Sequence, residues 1–147
     1  MAAQHHLAIP ATVDGLGQAV TAISALAREH RASPRGCFAI ELVVEELVGN
    51  VIRHAHPGRG GDWSIDLEFE LSGDLLRVVI EDDGIAFDPL GAPVPDRPTT
   101  AADVPLGGRG IMMVRRVASE LQYERRAGRN RLTVWVPLHP QAGPRQG

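Results

Sequence analysis

Lysine is absent, and all 15 basic residues are arginine. Together with abundant alanine, glycine and proline, this reflects genomic base composition more than mechanism. Cysteine occurs once, as Cys37 among Phe38, Ala39 and Ile40, so an internal disulfide is excluded and the thiol reads as a small core residue. No apolar run approaches the roughly 18 residues of a membrane span, and no charged-then-apolar leader opens the sequence. The expectation is a soluble cytoplasmic protein in a reducing setting. Aromatic residues make up only 4% of the chain and net charge is −3, so the arginines at 109, 115, 116, 125, 126, 129 and 131 lack a base-stacking platform. They read as a solvated face, and direct nucleic-acid binding is set aside.

What is present suits an ordinary globule: 147 residues, 44% hydrophobic and 22% charged, enough for a single domain with one sizeable core. Residues 6–9 read as a short strand, and residues 13–31 as a helix with Leu16, Val20, Ile23, Leu26 and Ala27 at helical spacing. Ser33 is a plausible N-cap and Pro34 suits a first helical turn, so a second helix runs to about Ala55, before Pro57. Residues 63–71 alternate apolar and polar, the pattern of a sheet covered on one side. Ser72-Gly73-Asp74 turns the chain into a strand from Leu75 to Ile80. Residues 83–107 are a long loop rich in proline and glycine, a helix runs from Gly110 to Leu121, and Gln122–Arg126 with Arg131–Val136 form a last hairpin around residues 127–130. The tail from 141 reads as frayed. The order β-α-α-β-β-loop-α-β-β predicts an α+β two-layer sandwich, its sheet mostly antiparallel with helices on one face.

Three local signals bear chemistry. Glu46, Asn50 and His54 recur every fourth residue, about 400° of rotation, and so stack on one helix face while Ile40, Val43, Val44, Leu47 and Val51 fall mostly on the other. A carboxylate, an amide and an imidazole in line form a candidate active-site wall, although polar residues on an amphipathic helix are usually its wet side. Asp82, at a strand end before Gly84, can hold a carboxylate at the bottom of a pocket and accept from an exocyclic amine such as that of adenine. Asp-Gly is also among the commonest turn dipeptides. Gly107-Gly108-Arg109-Gly110-Ile111 leads from the long loop into a helix N-terminus, whose free N–H groups suit phosphate, or it is merely a hinge.

In their order and separation the three resemble the GHKL ATPase superfamily and its Bergerat ATP-binding fold. Glu46-x-x-x-Asn50-x-x-x-His54 resembles the N-box, Asp82-x-Gly84-x-Ala86 the first glycine box and Gly108-x-Gly110 the second, across roughly residues 10–137. The Phe-Asp-Pro after the first box and Gly-Gly-Arg-Gly-Ile resemble bacterial anti-sigma-factor serine kinases most. Ala86 stands where that family usually has glycine, which is tolerable only at negative φ.

The resemblance implies ATP and Mg²⁺ as cofactors, with Asn50 as the Mg²⁺ ligand and Glu46 as the base that takes the serine proton. It also implies Asp82 on the adenine amine with Gly84 giving clearance, Gly108, Arg109 and Gly110 holding phosphates, and Arg53, His54, Ala86, Gly107 and Ile111 beside the nucleotide. Residues 88–107 would be the ATP lid of a single domain spanning 1–147. The implied partners are a sigma factor and a small antagonist phosphorylated on serine, with a homodimer as the assembly. Two other readings stay open: a stand-alone histidine-kinase-like ATPase domain, and a non-catalytic nucleotide-gated binding module.

Overall fold

Strict alternation builds the sheet. The computed structural model describes residues 3–58, 62–91 and 106–141. Its strands are β1 (Ala3–Pro10), β2 (Ser64–Ser72), β3 (Leu75–Asp82), β4 (Glu120–Arg126) and β5 (Arg129–Pro137). They pair in the order β1-β2-β3-β5-β4, every pair antiparallel. Ile65, Leu67, Phe69 and Leu71 of β2 point into the core. On the opposite face Glu68 and Glu70 pair with Arg77, and Arg129 with Asp66.

The helices α1 (Val13–Glu29), α2 (Pro34–His54) and α3 (Leu106–Val117) close the apolar face. Ile23, Ile40, Val43, Val44, Leu47 and Val48 join the buried strand residues in one cluster. Each such side chain contributes about 1.5–3 kcal/mol when fully buried, which outweighs the modest helix propensity of the valines. Thr12 caps α1 by accepting from the Gly15 N–H at 3.0 Å, and Ser33 caps α2 by accepting from the Gly36 N–H at 3.0 Å. Pro34 lies in the first turn of α2, as expected.

Three expectations are corrected. The third helix starts at Leu106 rather than Gly110, so the glycines occupy its first turn instead of preceding it. It ends at Val117, and Leu121 belongs to β4, half-buried against the core. The last hairpin has a two-residue loop, Ala127-Gly128, with φ of 52° and 76°, because Arg126 already pairs with Arg129. Residues 59–61, the lid residues 92–105 and the tail from 142 lie outside the described residues.

Candidate functional site

The last turns of α2, the end of β3, the segment after it and the β4–β5 hairpin converge on one narrow, partly open cavity. Leu47, Val51, Ile80 and Phe87 give it apolar walls, and Asn50, Asp82, Tyr123 and Asn130 supply its polar groups.

Asn50 is 4% exposed. Its Oδ1 accepts from an Arg53 guanidinium N–H at 2.5 Å. Arginine only donates, so this contact fixes which end of the amide is oxygen. The Nδ2 group is buried without a partner among the described residues. One turn earlier, Glu46 is half-buried and its carboxylate lies against Gly110, where a Cβ would collide with it. Glycine at 110 is therefore what lets α3 approach α2 at this point. Ile111, the next residue, is buried in the core. Gly107, Gly108 and Arg109 lie in the first turn of α3, and the Arg109 side chain is outside the described residues.

Asp82 and Asp83 part company, since Asp82 is the inward-facing last residue of β3 and Asp83 lies just past the strand. Asp82 is 3% exposed and borders the cavity; its Oδ1 accepts from the Gly84 N–H at 2.8 Å and from Asn130 Nδ2 at 3.0 Å. Asp83 is exposed and meets His56 Nε2 at 2.9 Å. That hydrogen bond is the main reason its carboxyl is held below the ordinary 3.8. His56 in turn packs edge-on against Trp63, ring centroids 4.2 Å apart.

Gly84 has a local reason to be glycine, since a Cβ there would run into the Ala55 backbone at the end of α2. The Ile85 N–H donates to the Ala55 carbonyl at 2.8 Å, stitching the loop to the helix. Positive φ among the described non-glycine residues falls at Arg31 and Ala127, so Ala86 meets the condition that its methyl group imposes. His54 stacks on Phe87 with centroids 4.9 Å apart and 23° between rings.

Sequence reasoning missed Asn130, which it placed in a turn. The side chain is 5% exposed and gathers the site. Its Nδ2 donates to Asp82 Oδ1 and to the Ile85 carbonyl at 2.7 Å, while its Oδ1 accepts from Tyr123 Oη at 2.5 Å and Arg125 Nη1 at 3.1 Å. Arg125 also donates to the Gly84 carbonyl at 2.7 Å. A signal was available: Asn130 shares the inward face with Leu132, Val134 and Val136, and a polar residue on such a face needs partners.

A family model described as "Histidine kinase-like ATPase domain" matches residues 9–136. The serine/threonine-protein kinase BtrW of Bordetella bronchiseptica is 30% identical over 118 residues, covering 80% of this chain and 82% of BtrW. Among solved structures, the RsbU and RsbW domains of Rv1364c from Mycobacterium tuberculosis superpose with a TM-score of 0.65 at 18% identity over 92% of this chain. This chain spans about a third (32%) of that one. The SiaB–SiaC complex from Pseudomonas aeruginosa gives a TM-score of 0.58 at 14% identity, covering 90% of this chain and 88% of that one. At these identities the two structures speak for the fold alone, which is the two-layer α+β sandwich expected.

Proposed function

The chain belongs to the histidine kinase-like ATPase domain family, and from that premise we propose that it is an ATP-dependent protein serine kinase and anti-sigma regulator. The observation that carries the reading is the Glu46 carboxylate against Gly110, one helical turn from the buried Asn50 amide that lines the cavity together with Asp82. A module that only bound nucleotide would have no use for a carboxylate there.

In this reading adenine enters the apolar cavity and its amine meets Asp82. Oδ1 is engaged by Gly84 and Asn130, which turns Oδ2 to the ligand. Gly108, Arg109 and Gly110 present the first turn of α3 to the phosphates, where backbone N–H groups and the helix dipole favour an anion. Arg53 and His54 line the approach. Among the described residues no three His, Cys, Asp or Glu groups converge as a metal-holding set. That suits Mg²⁺, which is commonly held by substrate phosphates, water and one or two protein oxygens. Asn50 supplies such an oxygen, and the metal would neutralise phosphate charge. The serine hydroxyl oxygen attacks the γ-phosphorus, its proton passes to Glu46 and ADP leaves.

The similarity to BtrW supports serine as the acceptor. A sigma factor and a serine-bearing antagonist, exchanged as nucleotide changes, are the proposed partners, with a homodimer as the working form and the cytoplasm as its place. No helix among the described residues is long and apolar enough to cross a membrane.

Proteins retained from the native cell on this chain in ATP and in ADP, with their phosphosites mapped, supply the acceptor. Glu46→Gln is expected to bind Mg·ATP like the wild type and to transfer phosphate about 10²- to 10⁴-fold more slowly. Transfer at the wild-type rate would remove Glu46 as the base and favour the binding-module reading.

A further inference from the structure

The Arg53–Asn50 contact places a cation on the very oxygen that the metal would need. Arg53 lies three residues on from Asn50 and folds back along α2, its guanidinium over Gly49, where a Cβ would come within 3.2 Å of Nη1. Glycine at 49 leaves room for this packing. The consequence for Asn50 is unusual: its oxygen is engaged, while its Nδ2 is buried at the cavity and unpartnered among the described residues. An orphaned buried amide costs desolvation energy that a plain structural asparagine would avoid by turning or by finding an acceptor. Among the described residues no carboxylate forms an ion pair with Arg53, so its charge is spent on a neutral amide.

We propose that Arg53 is an internal counter-cation that holds the Asn50 oxygen in the metal-free protein and must leave before Mg²⁺ can take it. The inference rests on the reading of Asn50 as the metal ligand. Mg²⁺ demands near-ideal octahedral approach at about 2.0–2.1 Å, and a guanidinium hydrogen-bonded to the same oxygen opposes it by engaging one of its two lone pairs and, above all, by like charge at close range. Arg53 therefore sets the metal concentration at which the site loads. Its role is positioning, exerted through Asn50.

ADP affinity measured by calorimetry across a Mg²⁺ titration, with a metal-free arm in chelator, tests this. Arg53→Met keeps the aliphatic stem and removes the donor and the charge. It is expected to lower the Mg²⁺ concentration for half-saturation by about 3- to 30-fold, the loss of one charge-assisted hydrogen bond at a partly exposed site. The chelator arm reads whatever contact Arg53 makes with the nucleotide itself, and the change in Mg²⁺ midpoint is taken relative to it. Arg53→Lys, which keeps a cation within reach, should restore much of the wild-type metal dependence.

An unchanged Mg²⁺ midpoint in Arg53→Met overturns the proposal. So does an equal loss of ADP affinity with and without metal, which would make Arg53 a phosphate contact. Asn50→Ala separates this from the parent reading: if that variant keeps the full Mg²⁺ dependence, Asn50 is not the ligand and both fall. If Asn50→Ala loses it while Arg53→Met is unaltered, only the counter-cation is wrong. Thermal melts of each variant show whether it is folded.

Discussion

Two glycines beside the cavity face obstacles of different kinds. At Gly84 an added methyl group would meet the Ala55 backbone, whose carbonyl is already bonded to the Ile85 N–H. Neither segment can give way cheaply, so Gly84→Ala is expected to lose on the order of 1–3 kcal/mol of stability in urea denaturation. At Gly110 the same methyl group would meet the free end of Glu46, which can swing aside. Gly110→Ala should therefore unfold near the wild-type denaturant midpoint and bind ATP, yet transfer phosphate far more slowly because the carboxylate has been displaced. A Gly110→Ala protein as active as the wild type would detach Glu46 from the chemistry. The contrast also shows what residue-level reading could reach. Four-residue spacing put Glu46, Asn50 and His54 on one helix face and the strand end before Gly84 singled out Asp82, since these are local signals, while their roles came from the resemblance. The neighbour that makes each glycine necessary lies on another element and has no local signature.

At the scale of elements, the three α-helices and five strands among the described residues were legible, and the errors sit where local and tertiary preferences compete. Glycine is a poor helix former, so Gly107-Gly108-Arg109-Gly110 reads as a breaker. The structure nevertheless starts α3 at Leu106, where the small residue at 110 lets α3 close on α2. Leu121 fits a helical step from Val117 and an alternating step to Tyr123 equally well, and pairing with Val134 decides for the strand. Asn130 beside Gly128 looks like turn chemistry, and only the register that sets it opposite Asp82 shows otherwise. A second tie between elements is pH-sensitive. His139, after β5, meets Asp74 Oδ1 in the β2–β3 turn at 2.5 Å and the Arg31 carbonyl between α1 and α2 at 2.7 Å. Only the protonated ring donates to both. The Asp74 hydrogen bond, then the Arg31 carbonyl, raise its pKa above the ordinary 6.5. A group raised on folding stabilises fully below its unfolded pKa and loses that contribution as pH rises through the folded one. The melting temperature should thus fall as pH rises above the ordinary 6.5 in the wild type, with a shallower slope in His139→Gln. Equal slopes would show that the clasp carries no stability.

For the whole molecule, the sheet turns a linear sequence into a site. Asp82 and Asn130 are 48 residues apart yet share a hydrogen bond of 3.0 Å, because β3 and β5 are neighbours in a sheet whose order is not that of the chain. Alternation and helical spacing gave the two layers, and the order of three motifs gave the family. The polar hub that sets the Asp82 carboxylate depended on a strand order that no single segment encodes. The same hub makes Asp82 the position at which nucleotide binding is tested most directly. The Gly84 N–H and Asn130 Nδ2 both demand an oxygen, so Asp82→Asn must keep its amide oxygen toward them and turn its NH₂ group toward the adenine amine, donor against donor. Calorimetry with Mg·ADP is expected to show saturable binding to the wild type and none to Asp82→Asn, with thermal melts confirming that the variant is folded. Equal affinity of the two proteins for Mg·ADP would contradict the placing of the nucleotide in this cavity.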